Sequence, residues 1–216
     1  MGKSLILRRI IGISGCACLS VASFGIWKIT SISTDSINVE RDTSKTLYVV
    51  EDYYPLVVGN YWIYSVEDPA EDRFREVRRQ IVSHERRDQQ DVYFFEDGSL
   101  AYRQDGKVYE IDPEGQVNVV FASQSSIGDS YSYRSKGFHI EKRVSAVDTI
   151  ITAGDRKYEK CLQIITSFRK SSASQNYSYA SYFAPGVGLV GRQQLDNDLS
   201  ETGTIELLKE FGTESM

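Results

Sequence analysis

The chain contains few histidines and cysteines, which are common catalytic residues. The histidines are His84 and His139, and Cys161 is the only cysteine beyond residue 18. A cysteine or serine near a histidine and an acid would suit hydrolysis through a covalent intermediate, so a hydrolase is one hypothesis. The chain lacks Gly-x-Ser-x-Gly, Walker A and His-Glu-x-x-His motifs, however. We therefore favour a non-enzymatic protein with solvated histidines, a buried free thiol at Cys161 and no catalytic residues.

An acidic turn carries the side chains that suit a cation, namely Asp196, Asp198 and Glu201. It lacks the Asp-x-Asp-x-Asp-Gly spacing of an EF-hand loop. Two His and three Cys in the whole chain are few for a zinc site, which needs about four nitrogen or sulfur ligands. We predict a surface loop at this turn, and neither a metal nor a cofactor.

A basic cluster has the chemistry to meet a polyanion or anionic lipid. Its members are Arg73, Arg75, Arg78, Arg79, Arg86 and Arg87. Interleaved acids largely neutralise it, so we interpret the cluster as a solvated face. The pI near 5.2 also disfavours nucleic acid as a partner. Tyr177, Tyr179 and Phe183 alternate along one strand and would share a face. They are candidate ligand-facing aromatics for sugar or peptide, although a plain sheet surface would need no ligand.

The N-terminal residues 1–29 form a targeting segment. Lys3, Arg8 and Arg9 precede residues 10–27, which carry no charge. A basic start before an uncharged run is typical of an export signal, and this run is about long enough to span a bilayer. The positive-inside rule would place the following chain outside the cytoplasm. We therefore expect contact with a membrane through residues 10–27 and an extracytoplasmic location, in the periplasm or at the cell surface.

Three fates of this segment stay open. Ser20-Val21-Ala22 suits signal cleavage after Ala22. Ile13-Ser14-Gly15-Cys16 resembles a bacterial lipobox, in which Cys16 would carry a lipid. The segment would otherwise remain as an uncleaved membrane helix. The mature protein is accordingly secreted, lipid-anchored or membrane-spanning.

Residues 30–46 are polar and lack apolar periodicity, which indicates a linker or a weak first strand.

The domain that follows, residues 47–212, is more acidic than the chain average. Beyond residue 27 the chain has 22 basic and 30 acidic residues. Global attraction to an anionic membrane is therefore not expected.

Alternating apolar runs and turn signals predict an antiparallel β domain. The runs LYVV and YWIYSVE have strand composition, and FREVRRQIVSHERR also fits helical spacing but is assigned as a long strand. Asp97-Gly98, Asp105-Gly106 and Glu114-Gly115 punctuate the next runs, and Asp-Gly pairs favour tight hairpins. The last run, TIELLKEF, suits a strand or a short helix. About ten strands would form an antiparallel meander that must curl into a curled sheet, half-barrel or open barrel, preceded by the N-terminal hydrophobic helix.

A set of short motifs resembles exported bacterial β-proteins of unknown function, with the TapB-like group nearest. The motifs are Tyr54-Pro55-Leu56, Gly59-Asn60, Trp62-x-Tyr64, Asp148-Thr149, Ala153-Gly154, Tyr158-x-x-Cys161-Leu162 and the segment Tyr182 to Val190, which contains APGVGLV. The resemblance covers roughly residues 50–210 and implies fold and export, without an activity. Gly186 and Gly188, after Pro185, would adopt unusual backbone conformations. Trp62 and Tyr64 would pack in the core, where the indole N–H needs an acceptor.

These observations favour a membrane-associated extracytoplasmic β domain with a binding or structural role. It would receive a protein, lipid or glycan in the concavity of the sheet. The first alternative is a half-barrel lipid or lipoprotein carrier, which predicts a large apolar cavity. The second is the hydrolase, which predicts a histidine or acid pair in a cleft beside a serine or cysteine.

Overall fold

The fold is an antiparallel β-sheet, seen in a computed structural model that describes residues 39–42, 50–68, 73–122, 126–170 and 177–214. A single helical turn, α1, spans Val50–Tyr53. The strands are β1 Val39–Asp42, β2 Asn60–Asp68, β3 Arg73–Arg87, β4 Gln90–Phe95, β5 Leu100–Gln104, β6 Lys107–Ile111, β7 Val117–Ala122, β8 Ser130–Ser135, β9 Phe138–Ala153, β10 Arg156–Lys170, β11 Tyr177–Ala184, β12 Gly188–Leu195 and β13 Glu201–Thr213.

The strands follow one path in the order β1-β9-β10-β11-β12-β13-β2-β3-β4-β5-β6-β7, while β8 pairs with β9 beside β1. Most pairs are hairpin neighbours, as turns at eight- or nine-residue spacing predict. There are two exceptions. Strand β1 pairs with β9, and β13 returns to pair with β2 and so joins the two ends of the meander. The all-β antiparallel fold and the curled sheet are confirmed.

The sheet forms a nearly closed barrel with one seam, between β7 and β8. Side chains bridge this seam. The Tyr131 hydroxyl and the Lys142 ammonium both donate to the carbonyl oxygen of Val120, at 2.9 and 3.3 Å. The Tyr133 hydroxyl donates to Oδ1 of Asn118 at 2.5 Å. The last strand of the meander is therefore held against the β8–β9 hairpin by side-chain donors.

Strands β9 and β10 are long and bent. Asp148 in β9 and Lys160 in β10 have φ of 57° and 55°, and the register between the two strands shifts around Cys161. An extra residue in one strand bends it and increases its twist. Strand β9 accordingly also contacts β12 and β13, which are not its neighbours in the sheet. This bending lets one sheet enclose its own core.

Three sequence expectations are resolved by the backbone. The ambiguous segment 74–87 is part of strand β3, and TIELLKEF lies in strand β13. The strand expected for LYVV is wrong at its last residue, because Val50 begins α1. Pro55, which cannot donate to a strand ladder, follows soon after this turn and leads the chain into β2. Residues 39–42 of the polar stretch form β1 and pair with β9.

The N-terminal predictions lie outside the described residues. They concern residues 1–29, the membrane-contacting run 10–27, lipidation at Cys16 and cleavage at Ala22. Among the described residues, no helix has the length and apolar character needed to cross a membrane.

Candidate functional site

The interior of the curled sheet contains a cavity with charged side chains in its wall. Its volume is about 30 Å³ and it is partly open to solvent, which is room for roughly two water molecules. Its lining comes from most parts of the barrel, namely Tyr54, Arg79, Glu110, Asn118, Val120, Lys142, Ile164, Thr166, Tyr179, Ser181, Phe183, Leu189 and Arg192. Charged side chains in such a place are unusual, because buried charges are costly unless they are paired.

One charged group in the cavity wall joins Arg79, Glu110 and Tyr54. Arg79 Nη1 lies 2.8 Å from Glu110 Oε1, and the two side chains are 11% and 10% exposed. The Tyr54 hydroxyl donates to the same carboxylate oxygen. The guanidinium of Arg79 stacks over the ring of Phe95 with its Cζ 3.9 Å from the ring centroid. The acid therefore receives two donors, and the arginine is held from one face by an aromatic ring.

A second buried pair joins Arg192 of β12 and Glu206 of β13. Their backbones are directly opposite in the ladder, and Arg192 Nη1 lies 2.6 Å from Glu206 Oε2. Arg192 Nε donates to the Ser181 hydroxyl at 3.2 Å, and its guanidinium lies 5.1 Å from the Tyr179 ring centroid. This pair adds β12 and β13 to the strands that supply the charged interior.

A third cation, Lys142 of β9, is only 5% exposed. Its ammonium donates to Asn118 Oδ1 at 3.2 Å and to the Val120 carbonyl oxygen at 3.3 Å. Both acceptors are uncharged, and the charge of Lys142 also helps to lower the pKa of the Glu110 carboxyl. Glu110 pairs with Arg79 and Glu206 pairs with Arg192, so these five side chains carry three positive and two negative charges when both acids are ionised.

The burial and charges of this interior shift its pKa values. Burial alone would raise the pKa of Glu110, but the charge of Arg79 and hydrogen bonds from Tyr54 and Arg79 outweigh it, so that pKa lies below its ordinary value. Burial also dominates at Glu206, where it raises the pKa despite the opposing charge of Arg192. Burial and then the charge of Glu110 raise the pKa of Tyr54 well above its ordinary value. Glu110 is thus held as the carboxylate, and Tyr54 as a neutral donor.

Arg79 has unused hydrogen-bonding capacity. Its Nε and Nη2 atoms are buried and have no hydrogen-bond partner, while Nη1 serves Glu110. Nε and Nη2 form one edge of the planar guanidinium, the fork that pairs with two oxygens of a single carboxylate or phosphate. A buried donor without an acceptor costs about 1–3 kcal/mol. The cavity wall therefore contains two buried donor atoms of Arg79 that lack an acceptor.

The predicted aromatics Tyr177, Tyr179 and Phe183 are placed differently from a ligand-stacking surface. Tyr179 and Phe183 are buried and line the cavity. Tyr177 is half-buried and packs on Phe168, with ring centroids 5.9 Å apart. Phe183 also contacts Phe121 edge-on at 4.9 Å. The alternation does bring the set to one face, and that face is the interior of the barrel.

The residues predicted to be structural form the junction between β2 and the turn before β12. Trp62 Nε1 donates to the Val187 carbonyl oxygen at 2.6 Å, and the Tyr64 hydroxyl donates to the Leu189 carbonyl oxygen at 3.2 Å. Gly188 has φ of 96°, and a Cβ there would lie 3.5 Å from Trp62 Nε1.

The turn that carries Gly188 contains the exposed Pro185. Gly186, the next residue, has φ of 71°. Only glycine adopts such φ values without cost. The APGVGLV segment therefore docks its backbone against β2.

Cys161 is a free, fully buried thiol. It lies where β9 and β10 shift register, and its Sγ is 3.5 Å from the Tyr158 carbonyl oxygen. Burial raises the pKa of this thiol to about 12. The thiolate, which is the nucleophile, is therefore scarce at neutral pH.

His84 lies outside the cavity. It is partly exposed, with Nε2 2.9 Å from Asp91 Oδ1, and its ring packs on Tyr93. His139 is half-buried in β9. In the part of the chain that the structure describes, neither histidine hydrogen-bonds to a serine or cysteine. The arrangement that the hydrolase hypothesis predicts is not formed by these residues.

The acidic turn and the basic cluster also have defined surroundings. Asp196 Oδ1 accepts the backbone N–H groups of Asp198 and Ser200, both at 2.9 Å, and Glu201 accepts the Tyr182 hydroxyl at 2.5 Å. The described residues contain no group of three or more His, Cys, Asp or Glu side chains that could hold a metal ion.

Most members of the basic cluster are exposed, namely Arg73, Arg75, Arg78, Arg86 and Arg87.

Arg79 corrects the interpretation of the basic cluster as a wholly solvated face. Val77, Arg79 and Ile81 alternate along β3, and Ile81 is fully buried. Side chains two apart share a face of a strand, so this period was a signal for the inward position of Arg79. In β6, Glu110 lies two residues after the buried Val108 and therefore shares its face of the strand. Sequence reasoning missed the other charged residues of the cavity as well, namely Lys142, Arg192 and Glu206.

Comparisons with known proteins assign no family. No family model matches the chain, and no curated protein matches it. Two solved structures are similar in shape. A candidate lipoprotein of Parabacteroides distasonis is 15% identical, with a TM-score of 0.42 and coverage of 74% of this chain and 98% of its own. A candidate exported protein with YmcC-like fold from Bacteroides fragilis is 9% identical, with a TM-score of 0.38 and coverage of 74% and 99%.

One of these proteins is a candidate lipoprotein and the other is a candidate exported protein, and neither comparison bears on the TapB-like group. The resemblance to that group therefore stays a prediction. At these TM-scores and identities the two structures carry no argument for a role or a location of this chain.

Proposed function

We propose that this protein is a non-enzymatic extracytoplasmic domain that binds a ligand in the interior of its curled sheet. Residues 10–27 would hold it at a membrane, as a lipoprotein, through an uncleaved helix or only until signal cleavage. The observation that carries the binding role is Arg79, whose Nε and Nη2 atoms lack acceptors in the wall of a cavity that is partly open to solvent. A protein that only needed a stable core would gain by placing an apolar residue there.

The cavity favours this role over the lipid carrier. Its lining contains Arg79, Glu110, Lys142 and Arg192, and its volume of about 30 Å³ suits a small polar group. The long apolar chain of a lipid would require a much larger apolar space. The surrounding interior is filled by the side chains of the core, including Phe121, which is fully buried.

Ligand binding is tested on the full chain purified in a nonionic detergent. A panel of small solutes from four classes is used: acetate and inorganic phosphate, ammonium and methylammonium, glucose and glycerol, and benzene. Melting is followed by intrinsic fluorescence, and binding by ligand-detected NMR. Leu189→Trp fills the rim of the cavity, where Leu189 is half-buried. Val82→Trp adds the same volume at a position that is 40% exposed on β3 and is the matched control.

We expect at least one class to raise the melting temperature saturably in the wild type and in Val82→Trp, and to have no effect on Leu189→Trp. Equal binding in all three proteins, or no binding from any class, would overturn the binding role. Location is tested separately by mass spectrometry of the mature N-terminus from membrane and soluble fractions. Export predicts a first residue of Ser23, a lipid on Cys16, or an intact Met1 in the membrane fraction. An intact chain in the cytosol would contradict export.

A further inference from the structure

The cavity has the composition of a site for a small oxyanion. Three cations, Arg79, Lys142 and Arg192, line it together with a single carboxylate, Glu110. Glu206 pairs with Arg192 from behind at 2.6 Å. With both acids ionised, the set still carries one excess positive charge. Net positive charge in a desolvated place is costly, and an anion in the cavity would lower that cost.

The neutral members of the lining also suit an anion. Thr166 and Ser181 supply hydroxyl groups, and Asn118 supplies a side-chain amide. Thr166 and Ser181 are 1% and 4% exposed. Thr166 of β10 is directly opposite Lys142 of β9, and Ser181 of β11 is directly opposite Arg192 of β12. Donors thus approach the cavity from several strands, as the recognition of separate oxygens of one group requires.

The orientation of the Arg79 guanidinium suits an oxyanion. Nη1 is occupied by Glu110, and the Phe95 ring covers one face of the guanidinium. The Nε–Nη2 edge is left without acceptors. This edge matches two oxygens of one carboxylate or phosphate, whereas a neutral sugar hydroxyl or a cation would leave it unsatisfied.

We propose that the cavity binds a small oxyanion, a carboxylate or phosphate group, between Arg79, Lys142 and Arg192. This inference rests on the proposed function and names its ligand class. The volume of about 30 Å³ limits the buried part to one such group. The group is either a free ion or the anionic end of a larger molecule whose remainder lies outside the cavity.

The test measures the affinity of the full chain, in nonionic detergent, by titration calorimetry. Acetate and inorganic phosphate represent the free ions, and methyl phosphate represents a phosphate carried on a larger molecule. Lys142→Gln removes a cation but keeps an amide donor for Val120. Because Arg79→Gln alone would leave Glu110 buried without its partner, the double variant Arg79→Gln with Glu110→Gln removes both charges. Arg86→Gln removes an exposed arginine of the same strand as Arg79 and is the matched control.

We expect saturable binding of at least one anion by the wild type and by Arg86→Gln. Binding by Lys142→Gln and by the double variant should be about tenfold weaker or more, since hydrogen bonds to charged groups contribute strongly. Weaker binding of methyl phosphate than of phosphate would indicate a free ion, and equal binding would indicate an accessible anionic end.

The absence of anion binding to the wild type would overturn the inference. So would undiminished binding by folded Lys142→Gln, because the anion would then lie elsewhere. If a neutral or cationic solute binds and Leu189→Trp blocks it, the oxyanion assignment fails while the proposed binding role stands.

Discussion

Arg79 of β3 and Glu110 of β6 form an ion pair of 2.8 Å inside the barrel, although β4 and β5 lie between their strands in the sheet. In a flat sheet these strands would be about 14 Å apart, since neighbouring strands are about 4.8 Å apart. The pair therefore spans the inside of a curved sheet. It places a charge interaction where the two strands share no backbone hydrogen bond.

This pair should be important for stability. Glu110→Gln leaves the buried guanidinium of Arg79 without its counter-charge, so we expect a loss of about 3–5 kcal/mol in the free energy of unfolding. Glu85→Gln is the control, because Glu85 pairs with Arg87 at 2.7 Å where both side chains are more than half exposed. Exposed pairs contribute at most about 1 kcal/mol. Urea unfolding measures both variants, and a similar loss in the two would contradict the buried role.

The turn between β11 and β12 should respond differently at its two glycines. Gly186 and Gly188 have φ of 71° and 96°, and residues with a Cβ tolerate the left-handed region only up to a φ of about 70°. A Cβ at Gly186 would meet nothing within 4 Å, and one at Gly188 would make ordinary contact with Pro55 and Trp62 at 3.5 Å. Gly186→Ala should cost about 1 kcal/mol from backbone strain, and Gly188→Ala should cost more, because its φ lies outside the left-handed region. Thermal unfolding compares the two variants, and a larger loss at Gly186 would contradict this order.

Cys161 should make the protein sensitive to alkaline pH. Burial raises the pKa of its thiol from 9.0 to about 12 in the folded state. Between these values the unfolded chain loses the proton while the folded chain retains it, so the contribution to stability is complete below pH 9 and declines towards pH 12. Cys161→Ala should therefore show a shallower loss of stability over this window than the wild type. Parallel slopes in urea unfolding at several pH values would disprove the effect.

The same thiol should resist alkylation. At pH 8, iodoacetamide should modify Cys161 only as fast as the surrounding strands open, because the thiol is fully buried and the thiolate is the reacting form. Mass spectrometry of the Cys161 peptide, with and without urea, measures the two rates. Equal rates in the folded and unfolded protein would show an accessible, reactive thiol.

The seam between β7 and β8 should open when its side-chain bridges are removed. Tyr131→Phe with Tyr133→Phe deletes the hydroxyl donors to Val120 and Asn118. Each hydrogen bond contributes about 1 kcal/mol, so the loss of both should accelerate amide exchange in β7 by about thirtyfold. Tyr102→Phe is the control, because Tyr102 stacks on Tyr109 with ring centroids 5.0 Å apart, away from the seam. Unchanged exchange in β7 of the double variant would show that other contacts close the barrel.

Much of the fold was predictable, because it depends on short-range chemistry. Asp105 and Gly106 both have positive φ, at 50° and 69°, as a tight primed turn requires. Similar turns at Gly98 and Gly154 also have positive φ, and short connections of this kind allow only antiparallel neighbours. Residue types and spacing were sufficient for these features, since each is decided within a few residues of the chain.

The candidate site was not predictable to the same degree. The charge of Arg79 was averaged with its exposed neighbours into a solvated cluster, although its strand period pointed inward beside Ile81. Sequence patterns also contained no sign that Arg192 would lie opposite Glu206, because that register depends on the β12–β13 ladder.

By itself, then, the sequence determined an uncharged segment behind a basic N-terminus, an acidic remainder and an antiparallel β domain with defined turns. The tertiary structure alone decided which charged side chains are enclosed. Burial of a charge is set by sheet curvature and by the register of strands distant in the chain, and these bring Arg79, Lys142 and Arg192 around one cavity. The electrostatic character of that interior is a long-range property, and no local pattern encodes it.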